Sequence, residues 1–490
     1  MAAASALGVL SALALPPLHV IPVLLVAVPG LLVLLAHQPG WRGAALAGFW
    51  FGFGHHVVGL YWITEAIMIE AARYWWLVPL AVPALAAVLA LFIAAPCALA
   101  RWLPVGWRRV LVLAGGWVLA DIARQFVATG FPWNPWGSVW AIPGFAGDML
   151  LQPAALAGVH GLTLATVLLA ATPALGRRAM AAGAACLAVW CGFGLWRLDQ
   201  AMPPAPGLAV LLVQGNVPQG QKWDRAITAD IFARYLALTR QAVAASGSRA
   251  VVIWPETASP YLVDADADAR AMIADAARGP GGEPVPVLVG SVRFDAARRP
   301  RNSLMAVVGP HPPAAVYDKW HLVPFGEYQP GWMPLPIQIV PGGGFRPGPG
   351  PVTLRVPGVP PFAPLICYEV IFSGQVVAAD RPEWIVTVTN DAWFGNSAGP
   401  RQHLAAARLR AVEEGLPLAR AANTGISAAY DPYGRELGRL GMAVTGILQV
   451  NLPGRIAAPL FARFGLWVPT AAAALLLLFG FGWPWYRAAR

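Results

Sequence analysis

The feature that most constrains this chain is the uneven distribution of its charged residues. The first 200 residues hold 14 of the 58 charged side chains and consist largely of long apolar runs. A run of about 20 apolar residues can cross the roughly 30 Å hydrocarbon core of a bilayer as a helix. Neither an ordinary soluble protein nor a disordered chain carries such runs, so both classes are excluded for this part.

These apolar runs predict about eight transmembrane helices, seven before a more polar region and one after it. The first run lacks the positively charged start of a cleavable signal peptide and leads directly into the second, so we expect it to be retained. The predicted spans cover residues 2–16, 18–36, 43–62, 75–99, 109–127, 151–175, 180–196 and 463–484.

The arginine positions predict the orientation, because cytoplasmic loops are enriched in positive charge. With the N-terminus inside, the outer loops before the polar region would carry three arginines and five acidic residues. The inner loops and the C-terminal tail would carry Arg42, Arg101, Arg108, Arg109, Arg177, Arg178, Arg487 and Arg490. We therefore predict a multi-pass protein of the bacterial inner membrane whose polar region lies in the periplasm.

Two features of the predicted membrane domain, residues 1–199, have both a functional and a structural interpretation. His55 and His56 lie within a span, where ionisable groups often serve function, but neutral hydrogen-bonded imidazoles would also fit there. Residues 131–137 read Phe-Pro-Trp-Asn-Pro-Trp-Gly at an outer boundary. The simpler interpretation of this Trp-rich loop is an interfacial aromatic belt, and the alternative is a functional loop.

Residues 200–455, here called the outer domain, are predicted to form a layered α/β fold. Short apolar strands alternate with helical patterns at 225–245, 264–278 and 400–414. We assign residues 456–490 to a C-terminal transmembrane helix and a cytoplasmic tail. The predicted strands are 208–214, 250–254, 285–294, 303–308, 315–319, 352–356, 363–367, 384–389, 418–422, 427–430 and 445–450.

The charged, His and Cys residues do not predict a nucleic acid, a metal or a cofactor as a partner. The net charge of +10 does not predict nucleic-acid binding, because the cations neither cluster in runs nor alternate with aromatic residues. The His and Cys spacing fits no metal-ligand pattern, and we expect neither a metal nor another cofactor. The chain has 32 Arg but only two Lys, Lys222 and Lys319, so each lysine is a candidate for a specific role.

Three residues near predicted strand ends are candidates for chemistry: Glu256, Lys319 and Cys367. Taken singly, they could be a turn cap, a surface charge and a core thiol. Taken together, they supply what a thiol nucleophile needs, namely a base for its proton and a cation for the developing negative charge. Strand ends of one sheet edge could bring them together.

At these residues the sequence resembles the carbon-nitrogen hydrolase (nitrilase) superfamily, which implies a Glu-Lys-Cys triad on an αββα sandwich. The preceding and following spans narrow the resemblance to the apolipoprotein N-acyltransferase family. The matching motifs are Trp-Pro-Glu at 254–256, Lys-Trp-His-Leu-Val-Pro-Phe-Gly-Glu-Tyr at 319–328, Cys-Tyr-Glu at 367–369, Thr-Asn-Asp-Ala-Trp-Phe-Gly at 389–395, Gln-His-Leu at 402–404 and Asn-Thr-Gly-Ile-Ser at 423–427.

The resemblance implies an acyl transfer in two stages. Glu256 would act as general base, Cys367 would form a thioester with an acyl group from a membrane phospholipid, and Lys319 would stabilise the oxyanion. The diacylglyceryl-modified N-terminal cysteine of an apolipoprotein would then accept the acyl group. We expect Lys319 to lower the pKa of the thiol, and a second carboxylate to raise the pKa of Glu256.

The resemblance also implies supporting and substrate-binding residues. The supporting set is Glu327, Tyr368 and Glu369, which could equally form a structural hydrogen-bond network. The substrate-binding and lid set is Trp223, Asn302, Trp332, Met333, Trp393 and Phe394, of which Trp223 could instead be core. The apolar segment 331–340 is predicted to be a lid that enters the outer leaflet, although it could also pack on the domain's own core.

Two other function classes stay open at this point. A membrane-anchored amidase would use the same triad with water as the acyl acceptor, and only the spans and the apolar lid favour lipid substrates. A polytopic transporter or receptor could carry a degenerate sensor domain, but such a domain would not need all three candidate residues. We expect the phospholipid, the apolipoprotein and the bilayer as partners, and a monomer as the simplest state.

Overall fold

The computed structural model describes residues 1–222, 224–246, 249–331 and 344–482. Each of the eight predicted spans coincides with a helix. The helices before the outer domain, here called the membrane block, are α1 (Ala2–Ala12), α2 (Leu24–Ala36), α3 (Trp41–Gly59), α4 (Ile63–Met68), α5 (Ala71–Tyr74), α6 (Val78–Ala100), α7 (Trp107–Ala123), α8 (Phe145–Leu151), α9 (Ala154–Leu175) and α10 (Arg177–Leu198). The later helices are α11 (Thr228–Ser246), α12 (Ala267–Ala276), α13 (Gly399–Glu414), α14 (Leu460–Phe464) and α15 (Trp467–Phe481).

Several of these helices are suited to a bilayer. Three helical stretches are long and apolar enough to cross it: Ala71–Ala100, Ala154–Leu175 and Arg177–Leu198. Shorter apolar helices lie at Ala2–Ala12, Ile21–Ala36 and Trp467–Phe481. Only 11% of the apolar window of α10 is buried, so this helix presents apolar side chains outward, as lipid requires. The total of eight spans stays a prediction.

The outer domain is built on two six-stranded sheets. Its strands are β1 (Ala209–Gln214), β2 (Ala250–Ile253), β3 (Val287–Phe294), β4 (Pro300–Val307), β5 (Ala315–Asp318), β6 (Leu354–Val356), β7 (Val359–Ile366), β8 (Trp384–Thr389), β9 (Leu418–Ala422), β10 (Ser427–Tyr430), β11 (Glu436–Leu440) and β12 (Gly446–Asn451). The first sheet has the order β12-β1-β2-β3-β4-β5, and the second has the order β11-β10-β9-β8-β7-β6.

All of the strands predicted from sequence are confirmed, with small shifts at their ends. The prediction missed β11, the edge strand of the second sheet. Most side chains of β11 are exposed, so it lacks the buried apolar face that makes a strand visible in sequence. The strands with two buried faces, such as β1 and β8, read as continuous apolar runs and were found.

The two sheets face each other across a shared apolar core. Leu212 and Ile253 of the first sheet and Phe362 and Val388 of the second belong to one buried cluster. Helices α11 and α12 cover the outer face of the first sheet, and α13 packs against the second. The predicted nitrilase-like αββα sandwich is therefore confirmed.

The Trp-rich loop lies between the membrane block and the outer domain, so its interpretation as an interfacial belt is wrong. Trp133 and Trp136 are 3% and 2% exposed. The Trp133 Nε1 atom donates to the Gln402 Oε1 atom of α13 at 2.9 Å. The Trp133 ring is buried where the membrane block docks on α13, whereas Trp136 packs on Phe51, His55 and Trp117 inside the membrane block. In α3, the His55 Nδ1 atom is 2.8 Å from the Ser11 hydroxyl, as in the hydrogen-bonded interpretation.

Candidate active site

The three candidate catalytic residues follow strands that end at one edge of the sandwich. Glu256 lies three residues after β2, Lys319 directly follows β5, and Cys367 directly follows β7. Their exposed fractions are 6%, 1% and 7%. A lysine that is 1% exposed is not a solvated surface charge, which removes the simplest alternative for Lys319.

Lys319 lies between two carboxylates. Its Nζ atom is 2.9 Å from Glu327 Oε2 and 3.3 Å from Glu256 Oε1. The Asn302 amide bridges the same carboxylates, because its Nδ2 atom donates to Glu256 Oε1 at 2.8 Å and to Glu327 Oε1 at 2.9 Å. The Asn390 backbone N–H donates to the other Glu256 oxygen at 2.9 Å. These contacts fix the carboxylate of Glu256 in one orientation.

Lys222 joins this group as a second buried cation. Its Nζ atom donates to the backbone carbonyl oxygen of Glu256 at 3.0 Å, and the residue is 5% exposed. Burial lowers the pKa of Lys222 to about 8, against the attraction of Glu256 and Cys367. We call Lys222, Glu256, Lys319 and Glu327 the charge cluster. The sequence signal for Lys222 was the scarcity of lysine, but its contact with Glu256 was not predicted.

Cys367 begins a tight turn with strained backbone geometry. Its φ angle is +53°, in the left-handed region that non-glycine residues seldom adopt. Glu369 ties this turn to the loop after β5: its Oε2 atom accepts from the Ile366 N–H at 2.6 Å, and its Oε1 atom accepts from the Trp320 N–H at 2.7 Å. The Tyr317 hydroxyl also donates to Glu369 at 2.8 Å. Glu369 thus joins the segments that carry the nucleophile and the lysine.

The pKa shifts at the site run opposite to the sequence expectation. Burial and the negative charge of Glu256 raise the pKa of the Cys367 thiol, and the opposing effect of Lys319 is smaller. Burial alone would raise the pKa of Glu256, but Lys319 and Lys222 lower it below its usual value. The Glu256 and Glu327 charges outweigh burial and raise the pKa of Lys319. The resting site therefore holds a neutral thiol beside an ionised carboxylate and a charged ammonium.

A second buried polar group contacts the nucleophile turn, and we call Asp391, His403 and Arg420 the support network. Arg420 Nη2 is 2.6 Å from Asp391 Oδ2, and His403 Nδ1 is 2.9 Å from Asp391 Oδ1. His403 Nε2 lies 3.0 Å from the Cys367 carbonyl oxygen. The sequence showed Asp391 and His403 within motifs but gave no sign that they meet.

Cys367, Asp391 and His403 also have the donor atoms of a metal site, since their potential ligand atoms lie within 4.8 Å of one another. Those atoms already have protein partners. Asp391 Oδ1 accepts from the Thr389 hydroxyl at 2.9 Å, and Asp391 Oδ2 accepts from Arg420. Both His403 nitrogens are engaged as described. The geometry is that of a hydrogen-bond network.

The remaining predicted site residues fall into three groups. Phe394 packs on Trp62 and Trp133 of the membrane block, with ring centroids 4.6 Å and 5.8 Å away, and Trp393 is partly exposed. The Tyr368 hydroxyl donates to the Gly130 carbonyl oxygen at 2.8 Å, so it links the nucleophile turn to the membrane block. Predicted residues outside the described ranges are Trp223, Trp332 and Met333.

Two family models match the chain. The model described as apolipoprotein N-acyltransferase N-terminal domain matches residues 7–172. The model described as carbon-nitrogen hydrolase matches residues 210–458, which include all of the charge cluster, the support network and Cys367. Residues 173–209, which include α10, lie between the two matches.

Individual proteins resemble the chain over most of its length. An apolipoprotein N-acyltransferase of Rhodopseudomonas palustris is 39% identical, covering 96% of this chain and 92% of the relative. One of Bradyrhizobium diazoefficiens is 41% identical with the same coverage of 96% and 92%. Among solved structures, an amidase from Nesterenkonia is 20% identical with a TM-score of 0.38, covering 52% of this chain and 94% of the amidase.

Proposed function

Because the chain belongs to the apolipoprotein N-acyltransferase family, we propose that it transfers a fatty acyl chain from a membrane phospholipid to an apolipoprotein. The acceptor is the α-amine of the N-terminal cysteine that carries an S-diacylglyceryl group. The observation that carries the proposal is the charge cluster beside Cys367, since Glu256 and Lys319 lie 3.3 Å apart and act electrostatically on the thiol. A thiol nucleophile requires such a base and such a cation.

The first stage moves the acyl group onto the enzyme. Glu256 removes the thiol proton as the Cys367 sulfur attacks the ester carbonyl carbon and a C–S bond forms. Lys319 stabilises the negative charge on the tetrahedral oxygen. Glu256 returns the proton to the departing glycerol oxygen as the C–O bond breaks, which leaves a lysophospholipid and a thioester on Cys367. An ionised Glu256 and a neutral thiol are the starting states that this step needs.

The second stage passes the acyl group to the apolipoprotein. The free α-amine attacks the thioester carbonyl, Glu256 takes a proton from the amine nitrogen, and the C–S bond breaks as the thiolate regains that proton. The products are an amide and the free enzyme. Glu327 and Asn302 support both stages by holding Lys319 and Glu256 in place, and Glu369 and Tyr368 hold the nucleophile turn.

The membrane block serves this reaction by keeping the site at the bilayer. Acyl chains stay in the membrane because burial stabilises each CH₂ by about 0.8 kcal/mol, so the enzyme has to work at the lipid surface. We propose eight spans in the inner membrane, a periplasmic outer domain and a monomer. Outward-facing apolar residues support this placement, among them Leu25, Val33, Leu80, Val88, Leu91, Val189, Leu475 and Phe479.

The membrane-anchored amidase would use the same three residues with water as the acyl acceptor, and the apolar helices favour a lipid donor over its substrates. A sensor domain without chemistry would not need an ionised carboxylate, a charged lysine and a thiol buried together, since burying charges is unfavourable unless a function requires them. The predicted lid of residues 331–340 lies, from residue 332 onward, outside the described residues.

Mass spectrometry of the purified protein after incubation with phospholipid vesicles tests the chemistry. We expect a fatty-acyl adduct on Cys367 that a diacylated lipopeptide discharges and that water leaves in place. Cys367→Ala should lose the adduct, whereas Cys191→Ala in α10 should keep it. Discharge by water alone would support the amidase, and full activity of Cys367→Ala would refute the mechanism.

Labelling with a membrane-impermeant maleimide tests the orientation. Ala296→Cys places a thiol on the exposed turn after β3, and Val105→Cys places one in the predicted inner loop before α7. In intact spheroplasts we expect the first to be labelled and the second to be protected until the membrane is permeabilised. The reverse pattern would overturn the orientation without affecting the proposed chemistry.

A further inference from the structure

His403 is the member of the support network that contacts the nucleophile segment. It lies on α13 and is 1% exposed, and Asp391 and Arg420 are equally inaccessible at 1% and 0%. The imidazole ring lies between these two charged groups and the backbone carbonyl of Cys367. A buried ion pair is costly to form, so its place directly behind the nucleophile turn calls for a role.

The backbone of Cys367 is the part of the site that most needs support. A non-glycine residue in the left-handed region is strained by about 1–2 kcal/mol, and it persists only where its surroundings hold it. The carbonyl oxygen of Cys367 is a hydrogen-bond acceptor, so a donor placed beside it can hold this residue in its strained conformation. His403 Nε2 at 3.0 Å supplies the contact.

The proton positions follow from the partners of the ring. A carbonyl oxygen can only accept, so Nε2 carries a hydrogen and donates to Cys367. On the other side, Arg420 Nη2 lies 3.1 Å from Nδ1 and can donate to it when the imidazole is neutral. Burial, followed by the charge of Arg420, lowers the pKa of His403, whereas the Asp391 carboxylate at 2.9 Å from Nδ1 opposes this shift by favouring the cation. In the cationic form Nδ1 would donate to Asp391, and Nε2 would still donate to Cys367.

The residue before His403 connects the same helix to the membrane block. Gln402 Oε1 accepts from Trp133 Nε1 at 2.9 Å and from Trp62 Nε1 at 3.0 Å. Its Nε2 atom donates to the carbonyl oxygens of Pro16 and Gly59 at 3.2 Å and 3.3 Å. Four residues from three segments of the membrane block therefore converge on one amide next to the imidazole that holds the nucleophile.

We propose that the Gln402–His403 pair couples the membrane block to the nucleophile, with His403 as a positioning residue for Cys367. Gln402 fixes α13 against the membrane-block loops, and His403 fixes the Cys367 turn against α13. The sulfur is thereby held in its attacking position relative to the membrane surface. This inference rests on the proposed function for its biological meaning, but the positioning itself can be measured without a lipid substrate.

The decisive variants keep or remove the donor at the Nε2 position. His403→Gln places an amide N–H near the position of Nε2, His403→Asn places one nearer to Nδ1, and His403→Ala removes both. We expect alkylation of Cys367 by iodoacetamide, and acyl-adduct formation from phospholipid, to fall about 10- to 100-fold in His403→Ala and His403→Asn. His403→Gln should recover most of the rate.

The pH dependence separates positioning from acid–base catalysis. Among the described residues, the charged or titratable groups that face His403 are Asp391 and Arg420, and the Cys367 sulfur lies within 4.8 Å of a ring nitrogen. Nε2 carries its hydrogen in both the neutral and the cationic ring. The ratio of the variant alkylation rate to the wild-type rate should therefore be the same at every pH between about pH 5 and pH 7. If the wild-type rate showed a titration step with pH that the His403 variants lacked, His403 would be a general base and the positioning role would be overturned.

Matched controls come from similar contacts elsewhere. The His19 ring bonds the Val139 carbonyl oxygen at 2.8 Å in the membrane block, so His19→Gln should leave the alkylation rate unchanged.

Equal alkylation rates for His403→Gln and His403→Asn would overturn the proposal, provided that thermal unfolding shows both variants to be folded. Wild-type protein that is alkylated normally but never forms an acyl adduct would refute the proposed function and leave the positioning result valid.

The tryptophan donors test the coupling to the membrane block. Trp62→Phe and Trp133→Phe each remove one donor to Gln402 while keeping an aromatic ring, and we expect about a 3- to 10-fold loss of alkylation rate. Trp140→Phe removes a comparable bond, from Nε1 to the Thr166 hydroxyl at 2.7 Å, and should have no effect. An equal loss in all three variants, or no loss in any, would overturn the coupling.

Discussion

The charge cluster and the support network are two buried sets of ionic groups beside one cysteine. In the charge cluster, two carboxylates share Lys319, and Lys222 contacts a backbone oxygen. In the support network, one carboxylate is matched to one arginine, and its other oxygen accepts from a hydroxyl. The first arrangement leaves protons that can move during the reaction, whereas in the second both Asp391 oxygens accept from fixed protein donors.

This difference indicates that burial serves two purposes in the site. In the charge cluster it sets protonation states that the chemistry uses, and in the support network it holds backbone in a strained conformation. The expectation that follows is that removing Lys319 from the charge cluster acts mainly on rate, whereas breaking the Asp391–Arg420 pair of the support network acts mainly on stability.

The largest effect is expected for Lys319→Met, which removes the cation from the charge cluster. The rate of acyl-adduct formation should fall about 1000-fold, because the oxyanion loses its stabilising charge. Glu256 and Glu327 would be left without the cation that they share. Single-turnover mass spectrometry measures the rate. Lys319→Arg is the control that keeps the charge, and a wild-type rate in Lys319→Met would show that the cation has no part in the chemistry.

The matching change in the support network is Arg420→Met, which leaves the Asp391 carboxylate buried without its arginine. Breaking a buried ion pair from one side costs about 3–5 kcal/mol, so the free energy of unfolding should fall by that amount. Chemical denaturation in detergent measures it. Adding Asp391→Asn should restore part of the loss, because the unpaired charge is then removed. If the double variant lost the sum of the two single-variant losses in free energy of unfolding, Asp391 and Arg420 would not interact directly.

A smaller effect is expected on the pH dependence of the free energy of unfolding, through the titration of Lys222. Its pKa is lowered by burial from 10.5 to about 8, so between these values the unfolded chain binds a proton that the folded chain has lost. The free energy of unfolding should therefore rise with pH across this window, by up to about 3 kcal/mol. The rise is measured as the difference between the wild type and Lys222→Met. Parallel curves for the two proteins would mean that Lys222 titrates normally.

The smallest effect is expected for a charge pair outside both sets. Arg355 and Asp380 lie 3.3 Å apart, but their side chains are 67% and 56% exposed. Water screens such a pair, so Arg355→Ala should change the free energy of unfolding by less than about 0.5 kcal/mol and leave acyl-adduct formation unchanged. If Arg355→Ala lowered the free energy of unfolding as much as Arg420→Met, burial would not decide how much an ion pair contributes to stability in this protein.

Much of the outer domain could be predicted because local pattern and burial agree in its strands. The apolar runs at β1 and β8 are visible in sequence, and the edge strand β11 is not, since most of its side chains face water. The Trp-rich loop was misinterpreted for a related reason. A tryptophan at a membrane boundary looks the same in sequence whether it faces lipid or the Gln402 side chain.

The sequence by itself determined the chemical groups: the apolar helices, the alternating strands, and the glutamate, lysine and cysteine at strand ends. Only the tertiary structure decided their states. It placed Lys319 between two carboxylates, which keeps Glu256 ionised, and it buried the thiol, which keeps Cys367 neutral. It also brought His403 of α13 to the carbonyl of Cys367, 36 residues away. Protonation depends on desolvation and on charges from distant segments, and neither can be read from local spacing.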